Sequence, residues 1–286
     1  MWFLQFSCVL IAFVQLSQPA TIEHRIVNGE KVSIDDYPYQ VYLFNPSGSC
    51  GGSIISKKCI LTAGHCVVKP DLTSIKTWAK HNANTVSVLP GKSNVLDKSS
   101  AILAEKINLH SDFNIVFLLK DEEIVAKDVE NDIAIIFLGT SLICSTGIKK
   151  VSLPPLGESE SLLYGKTAVA TGYGRLYDNK LTKDLYAVNL KIPKTNILCE
   201  NDKIICLPKQ ENSRGTCFGD SGGPLVINGV QYGIISGANN KNVPPLCQYA
   251  TRLNFINIIH YREWISKNSD VYEANALIGE GNGIDE

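Results

Sequence analysis

Short runs of β-branched, aliphatic and aromatic residues, broken by turn formers, recur along almost the whole chain and leave few folds open to it. They occupy Tyr39 to Phe44, Ser53 to Ile55, Cys59 to Thr62, Val86 to Leu89, Ile133 to Leu138, Ala168 to Thr171, Tyr186 to Ile192, Pro224 to Ile227 and Gln231 to Ile235. Runs of this length and composition suit strands buried on one or both faces, and breaks such as Asn228-Gly229 close tight hairpins. The expected class is all-β. One stretch differs: Phe255, Ile258, Ile259, Tyr261, Arg262 and Ile265 recur at three- and four-residue spacing, the period of a helix with one buried face. With 286 residues, 44% hydrophobic and 19% charged, the chain can fill a substantial core as one large domain or two packed halves. No internal repeat or Pro- or Ser-rich linker divides it. The segment from Val67 to Asn131 is less decodable, and its charged stretch Lys120 to Glu123 is expected to be solvated surface.

The two ends read differently. Residues 1–20 hold an apolar run from Phe6 to Val14 followed by Ser, Pro and Ala, the order of a secretory signal and too short to cross a bilayer comfortably. A buried N-terminal strand or helix is the competing reading. Residues 269–286 are acidic, contain Gly and carry few bulky side chains, so a mobile tail is expected there. A net charge of −1 offers no basic field to nucleic-acid phosphates, and no later run is long enough for a membrane span. Neither nucleic acid nor membrane is an expected partner. Of nine cysteines, Cys8 leaves with the signal, and the even set that remains in an exported chain favours disulfides. Paired C-x-x-C clusters are missing, so no metal is expected.

The most specific chemistry lies in Cys217-Phe218-Gly219-Asp220-Ser221-Gly222-Gly223-Pro224-Leu225. A serine hydroxyl attacks a carbonyl only with a base beside it and donors for the oxyanion it creates. Glycines around Ser221 let the backbone turn tightly and aim the amides of Gly219 and Ser221 at one point. Taken alone, such a segment is equally a plain turn. Upstream, Leu61-Thr62-Ala63-Gly64-His65-Cys66 sets a histidine beside a cysteine that can pair with Cys50, which would fix the orientation a base needs. Between them, Glu130-Asn131-Asp132-Ile133-Ala134 opens an apolar strand with a carboxylate. Asp132 is either a strand-end cap or the group that holds His65 in the tautomer able to accept the serine proton.

These segments, in the order His, Asp, Ser, resemble the trypsin and chymotrypsin family of serine proteases. The resemblance runs from Arg25 to about Asn268, through Arg25-Ile26-Val27-Asn28-Gly29, Thr171-Gly172-Tyr173-Gly174, Ser236 and Trp264-Ile265. It implies two packed six-stranded antiparallel β-barrels with a C-terminal helix and a site in the cleft between them. Ser221 would be the nucleophile, His65 the general base and acid, Asp132 its orienting partner, and Gly219 and Ser221 the oxyanion hole, with no cofactor. Cleavage after Arg25 would free the Ile26 amine to pair with Asp220. The chain would then comprise a signal peptide (1–20), a short activation peptide (21–25), a protease domain (26–268) and the tail (269–286). The resemblance also implies the disulfides Cys50–Cys66, Cys199–Cys206 and Cys217–Cys247, which leaves Cys59 and Cys144 as a fourth pair.

Departures from the family bear on the substrate. The resemblance puts Gly215, followed by Thr216, at the floor of the specificity pocket, where an aspartate would select Arg or Lys, so a substrate cation would be desolvated without compensation. An apolar residue before the cut bond is expected. After Ser236 come Gly237 and Ala238, where an aromatic residue and then glycine are usual, and Ala238 is expected to narrow the pocket. Gly64 replaces the usual alanine beside the histidine, a change expected to be tolerated. The expected product is a secreted, extracellular, monomeric endopeptidase zymogen acting on proteins or peptides, activated by a separate trypsin-like protease and open to protein inhibitors. A noncatalytic protease-like binding protein is the alternative. An exported lipase is disfavoured, since its chain order places the histidine last.

Overall fold

Strands carry this fold, and they gather in two halves of the chain. The computed structural model describes residues 28–71, 74–120, 123–175, 182–195, 199, 201–239 and 247–271. A two-residue β1 (Glu30–Lys31) precedes β2 (Gln40–Asn45), β3 (Gly48–Ile54), β4 (Cys59–Thr62), β5 (Val68–Asp71), β6 (Ser74–Lys80), β7 (Ser87–Pro90), β8 (Ile102–Leu109), β9 (Asn114–Lys120), β10 (Glu123–Glu130) and β11 (Ala134–Leu138). The second half supplies β12 (Thr167–Gly172), β13 (Tyr186–Lys191), β14 (Ile204–Pro208), β15 (Pro224–Ile227), β16 (Val230–Asn239), β17 (Arg252–Asn257) and the helix α1 (Ile258–Asn268).

The first half closes into a six-stranded barrel in the order β11-β4-β3-β2-β7-β8. Ile133, Ile135 and Ile136 are all fully buried. Consecutive strand residues point to opposite faces, so both faces of β11 are covered, which is why its sequence is continuously apolar rather than alternating. Ile258, Tyr261 and Ile265 of α1 share that core with Cys59 and Ile135, so the helix lies against the first barrel although the second half leads into it. The helix begins later than its periodicity suggests. Phe255 is fully buried within β17, and the Asn257 side chain ends the strand by accepting from the Ile259 amide at 3.1 Å.

The second half forms a seven-stranded sheet in the order β1-β13-β12-β15-β16-β17-β14, curled around Ala170, Val188, Leu190, Ile205, Leu225, Ile235 and Phe255. Here the expectation of two closed barrels is sharpened, since β13 and β14 are not paired as strands. Gln210 spans that seam instead, its amide accepting from Lys191 N at 2.7 Å and donating to Pro208 O at 2.9 Å. The undecoded segment before Asp132 resolves into hairpins β5–β6 and β9–β10, which share a small core of Val68, Trp78, Leu109, Phe113, Ile115 and Val129. Among the described residues no helix is long and apolar enough to cross a membrane.

Disulfides join Cys50 to Cys66, Cys199 to Cys206 and Cys217 to Cys247. The expected fourth bond, Cys59 to Cys144, is corrected: both thiols are free. Cys59 is fully buried in β4, where burial and a hydrogen bond to Asp270 push its thiol up to about 12, while Cys144 lies exposed beyond β11. The two side chains thus face different environments. The expected signal and activation peptides and most of the expected tail lie outside the described residues.

Candidate active site

β4 ends at Thr62, and a single turn of 3-10 helix, Gly64–Val67, carries His65 away from the barrel wall. The Cys50–Cys66 disulfide fastens that turn to β3. Opposite it, Asn131 adopts a left-handed conformation with φ 46°, one that Asn tolerates better than most residues. Its side chain fixes the bend by donating to Asp112 O at 2.7 Å and accepting from Tyr261 Oη at 2.9 Å and Lys203 Nζ at 3.1 Å. This bend points the next residue, Asp132, inward, where it is 1% exposed.

The Asp132 carboxylate accepts three hydrogen bonds. Oδ1 takes the His65 amide at 2.8 Å, and Oδ2 takes His65 Nδ1 at 2.8 Å and Ser236 Oγ at 2.6 Å. Burial opposes the Asp132 charge, but the facing His65 and these bonds outweigh it and hold the carboxyl below its ordinary value. Burial likewise pulls His65 down, and the charge and hydrogen bond of Asp132 more than offset it, so its pKa stands above the ordinary value. With Nδ1–H committed to the carboxylate, Nε2 is the imidazole's acceptor. The Ser236 hydroxyl, on a residue expected among those of the pocket, is the third of these donors to Asp132.

The Ser221 loop lies against this turn. Gly51 N donates to Ser221 O at 2.7 Å, and the Cys66 sulfur is 3.5 Å from the same oxygen. Within the loop, Asp220 N donates to Cys217 O at 3.0 Å, Gly223 N to Asp220 O at 2.9 Å and Gly222 N to Ile235 O at 2.7 Å. Gly219 has φ 95°, a conformation that costs glycine little and most side chains much. Among the described residues neither Gly219 N–H nor Ser221 N–H donates to another group. Two neighbouring amides left open beside a serine can receive a developing oxyanion. Cys50, Cys66 and His65 also approach within 4.8 Å, but both sulfurs are spent in the disulfide and offer no thiolate to a metal.

Asp220 points away from solvent and accepts from Gly174 N and Cys217 N, each at 2.8 Å. A Cβ at Gly174 would lie 2.5 Å from its carboxyl carbon, so only glycine lets the Thr171–Gly174 segment come this close. Burial raises the Asp220 carboxyl to about 7 despite those two amides, and no cation among the described residues pairs with it. Arg25 and Ile26 lie outside the described residues.

Around the expected pocket, Gly215 packs on Leu253 of β17, with an ideal Cβ at Gly215 only 3.1 Å from Leu253 Cδ2. Thr216 is buried, the Cys217–Cys247 bond follows, and Gly237 sits at an irregularity where β16 shifts register against β17. Ala238 pairs with Leu253 in that register. Sequence reasoning passed over Leu253, and also Phe218, which is half exposed next to Gly219. Phe218 was legible as the one aromatic residue inside the glycine-rich segment; Leu253 had no local signal, because its contact is tertiary.

The comparisons with known proteins agree with this geometry. A family model described as trypsin matches residues 26–265. Chymotrypsin-2 of Vespa crabro is 33% identical over 251 residues, which is 85% of this chain and 99% of that protein. Kallikrein 1-related peptidase b3 of Mus musculus is 30% identical over 268 residues, covering 89% of this chain and 95% of that one. A solved HL collagenase structure superposes with a TM-score of 0.63 at 24% identity, covering 87% of this chain and all of that one, and this likeness speaks to the fold alone. The chain belongs to the trypsin family and is a serine endopeptidase.

Proposed function

We propose that this chain is the precursor of a secreted endopeptidase in which Ser221, His65 and Asp132 act together, switched on by cleavage after Arg25 and directed to bonds that follow an apolar residue. The observation that carries the proposal is the buried Asp132 carboxylate holding His65 Nδ1 beside a serine loop with two open amides. His65 Nε2 takes the Ser221 proton as Oγ attacks the carbonyl carbon, and Asp132 stabilises the imidazolium. Gly219 and Ser221 N–H hold the oxyanion. The proton passes to the departing amine, and water releases the acyl group by the same route in reverse.

The activation step rests on Asp220. A buried carboxylate with only two amide donors is poorly compensated, and the Ile26 ammonium released by cleavage would supply the missing charge. Secretion is supported by the apolar run in residues 1–20 and by three disulfides, bonds that persist in oxidising compartments. The substrate preference is supported by Gly215, the expected floor position, which carries no carboxylate and packs on Leu253. The pocket therefore takes uncharged side chains, its protein substrates and inhibitors present such residues, and a separate trypsin-like protease performs the cut after Arg25. The working form is a monomer.

To test this, the precursor is cut after Arg25 with trypsin, the trypsin removed, and the product profiled on a peptide library beside Ser221→Ala. Turnover after apolar residues, lost in the variant, is expected. No turnover and no labelling of Ser221 by an organophosphorus reagent would refute the enzymatic reading, and preference for Arg or Lys would refute the pocket argument.

A further inference from the structure

Gly64 lacks a side chain in a place already filled from elsewhere. An ideal Cβ there would lie 2.6 Å from Phe113 Cδ2, 2.8 Å from Phe113 Cε2 and 3.0 Å from Leu109 Cδ1. Comfortable carbon contacts are about 3.5–4.0 Å, so a methyl group could be accommodated only if the ring or the turn moved by roughly 1 Å. The ring is not loose. Phe113 is 4% exposed, its centroid is 5.0 Å from that of Trp78 in an edge-to-face pair, and Val68 and Ile115 pack in the same cluster. The turn is held on its far side by the Cys50–Cys66 bond.

The backbone around Phe113 is tied to the other partner of the pair. Phe113 N donates to His110 O at 3.0 Å, and His110 N donates to Ile133 O at 3.2 Å, one residue beyond Asp132. Asn131 Nδ2 donates to Asp112 O, immediately before Phe113 and immediately before Asp132. Phe113 is thus bonded through its neighbours to both flanks of Asp132 while its ring rests on the residue preceding His65.

We propose that Phe113 is a positioning residue, a rigid apolar spacer that sets the separation of His65 and Asp132, and that glycine at position 64 is required because the ring occupies the space a methyl would take. The proposal rests on the reading of His65 as the base. The residues packed over the turn from the hairpin side, Phe113, Leu109, Trp78 and Val68, are uncharged, and Asp132 is the ionised group bonded to the imidazole. A change in the titration of His65 therefore reports its contact with Asp132.

The test compares Gly64→Ala, Phe113→Leu, the double variant and Ile115→Ala, the last a buried member of the same cluster whose atoms are not among those nearest Gly64. In the activated enzyme, with rates normalised to titrated active sites, Gly64→Ala should lower kcat roughly ten- to hundredfold with a smaller change in KM. Gly64→Ala with Phe113→Leu should recover most of that loss, because the shorter side chain leaves room for the methyl. Ile115→Ala should lower Tm without this pattern. In the uncleaved chain, the NMR titration of His65, assigned by its loss in His65→Ala, should move to lower pH in Gly64→Ala and return in the double variant. Unchanged kcat and titration in Gly64→Ala, or a double variant no better than Gly64→Ala, overturns the proposal. An unsubstituted chain that never turns over, yet shows the titration pattern, would instead count against the enzymatic reading while supporting the spacer.

Discussion

Raising the pH should weaken the uncleaved chain through one residue, Asp220, and should leave the activated form largely indifferent through that residue. In the folded chain the Asp220 carboxyl titrates near 7, against 3.8 for the same group in water. Below about pH 4 it is protonated in both folded and unfolded states and contributes nothing. Between these values the unfolded chain ionises and the folded one does not, so folding is penalised progressively, and above about pH 7 the penalty is complete. Each pKa unit corresponds to 1.36 kcal/mol, and a separation of about three units gives a loss on the order of 4 kcal/mol. An Ile26 ammonium against Asp220 would pull the carboxyl down and remove that loss. The assay is denaturant unfolding from pH 4 to pH 8 of Ser221→Ala protein, which cannot digest itself, before and after cleavage behind Arg25. The gap in stability between cut and uncut protein should widen by several kcal/mol as the pH rises, and Asp220→Asn in the uncut chain should flatten its profile. A gap that stays constant within about 1 kcal/mol from pH 5 to pH 8 would refute the reasoning, since Asp220 would then be solvated or already paired in the precursor.

Replacing Asp132 by Asn should lower kcat by about 10⁴-fold, the scale found when the orienting carboxylate of such a triad becomes an amide, with little change in KM. Because His65 must be neutral to act as base and its pKa is raised, kcat/KM should fall as the pH drops through a value above 6.5; an acid limb below 6.5 would contradict the Asp132 contact. Leu253→Ala should deepen the pocket at Gly215 and raise kcat/KM for phenylalanine over valine before the cut bond by roughly tenfold or more, measured on matched peptides, and an unchanged ratio would remove Leu253 from the specificity argument. A maleimide should label the native mature chain once, at exposed Cys144, and reach Cys59 only after unfolding; mass spectrometry showing no native labelling would mean the two cysteines are bonded after all.

Much of the fold was legible where burial is two-sided. Cys59–Thr62 and Pro224–Ile227 form strands with the bounds their apolar runs suggest, because four apolar-rich residues between turn formers are too short for a helix and suit a strand buried on both faces. The hairpins β5–β6 and β9–β10 were not read from the sequence, although β9 carries the unbroken apolar run Ile115 to Leu119; each pairs within a separate two-stranded sheet, an arrangement no local pattern announces. β17 was misread for a physical reason: Phe255 and Ile258 stand three apart across a strand–helix junction and imitate a single helical face. At the site, the residue types that do chemistry were visible in the sequence, while the groups that hold them were not. Asn131, Phe113 and Leu253 act through contacts with residues far along the chain, and no local pattern marks them.

The placement of α1 has a consequence for how the chain is made. Val41, Leu43 and Ile60 from the start of the first barrel share one core with Ile256, Ile258, Tyr261 and Ile265. During synthesis the first barrel therefore emerges with part of its wall uncovered, and it waits for almost the whole sequence before its last packing layer arrives. Contacts so distant along the chain make for slow folding and for exposed apolar surface in the interval. A chain truncated just before Ile258 would keep every strand and all of His65, Asp132 and Ser221, yet lack the lid on the barrel that presents two of them.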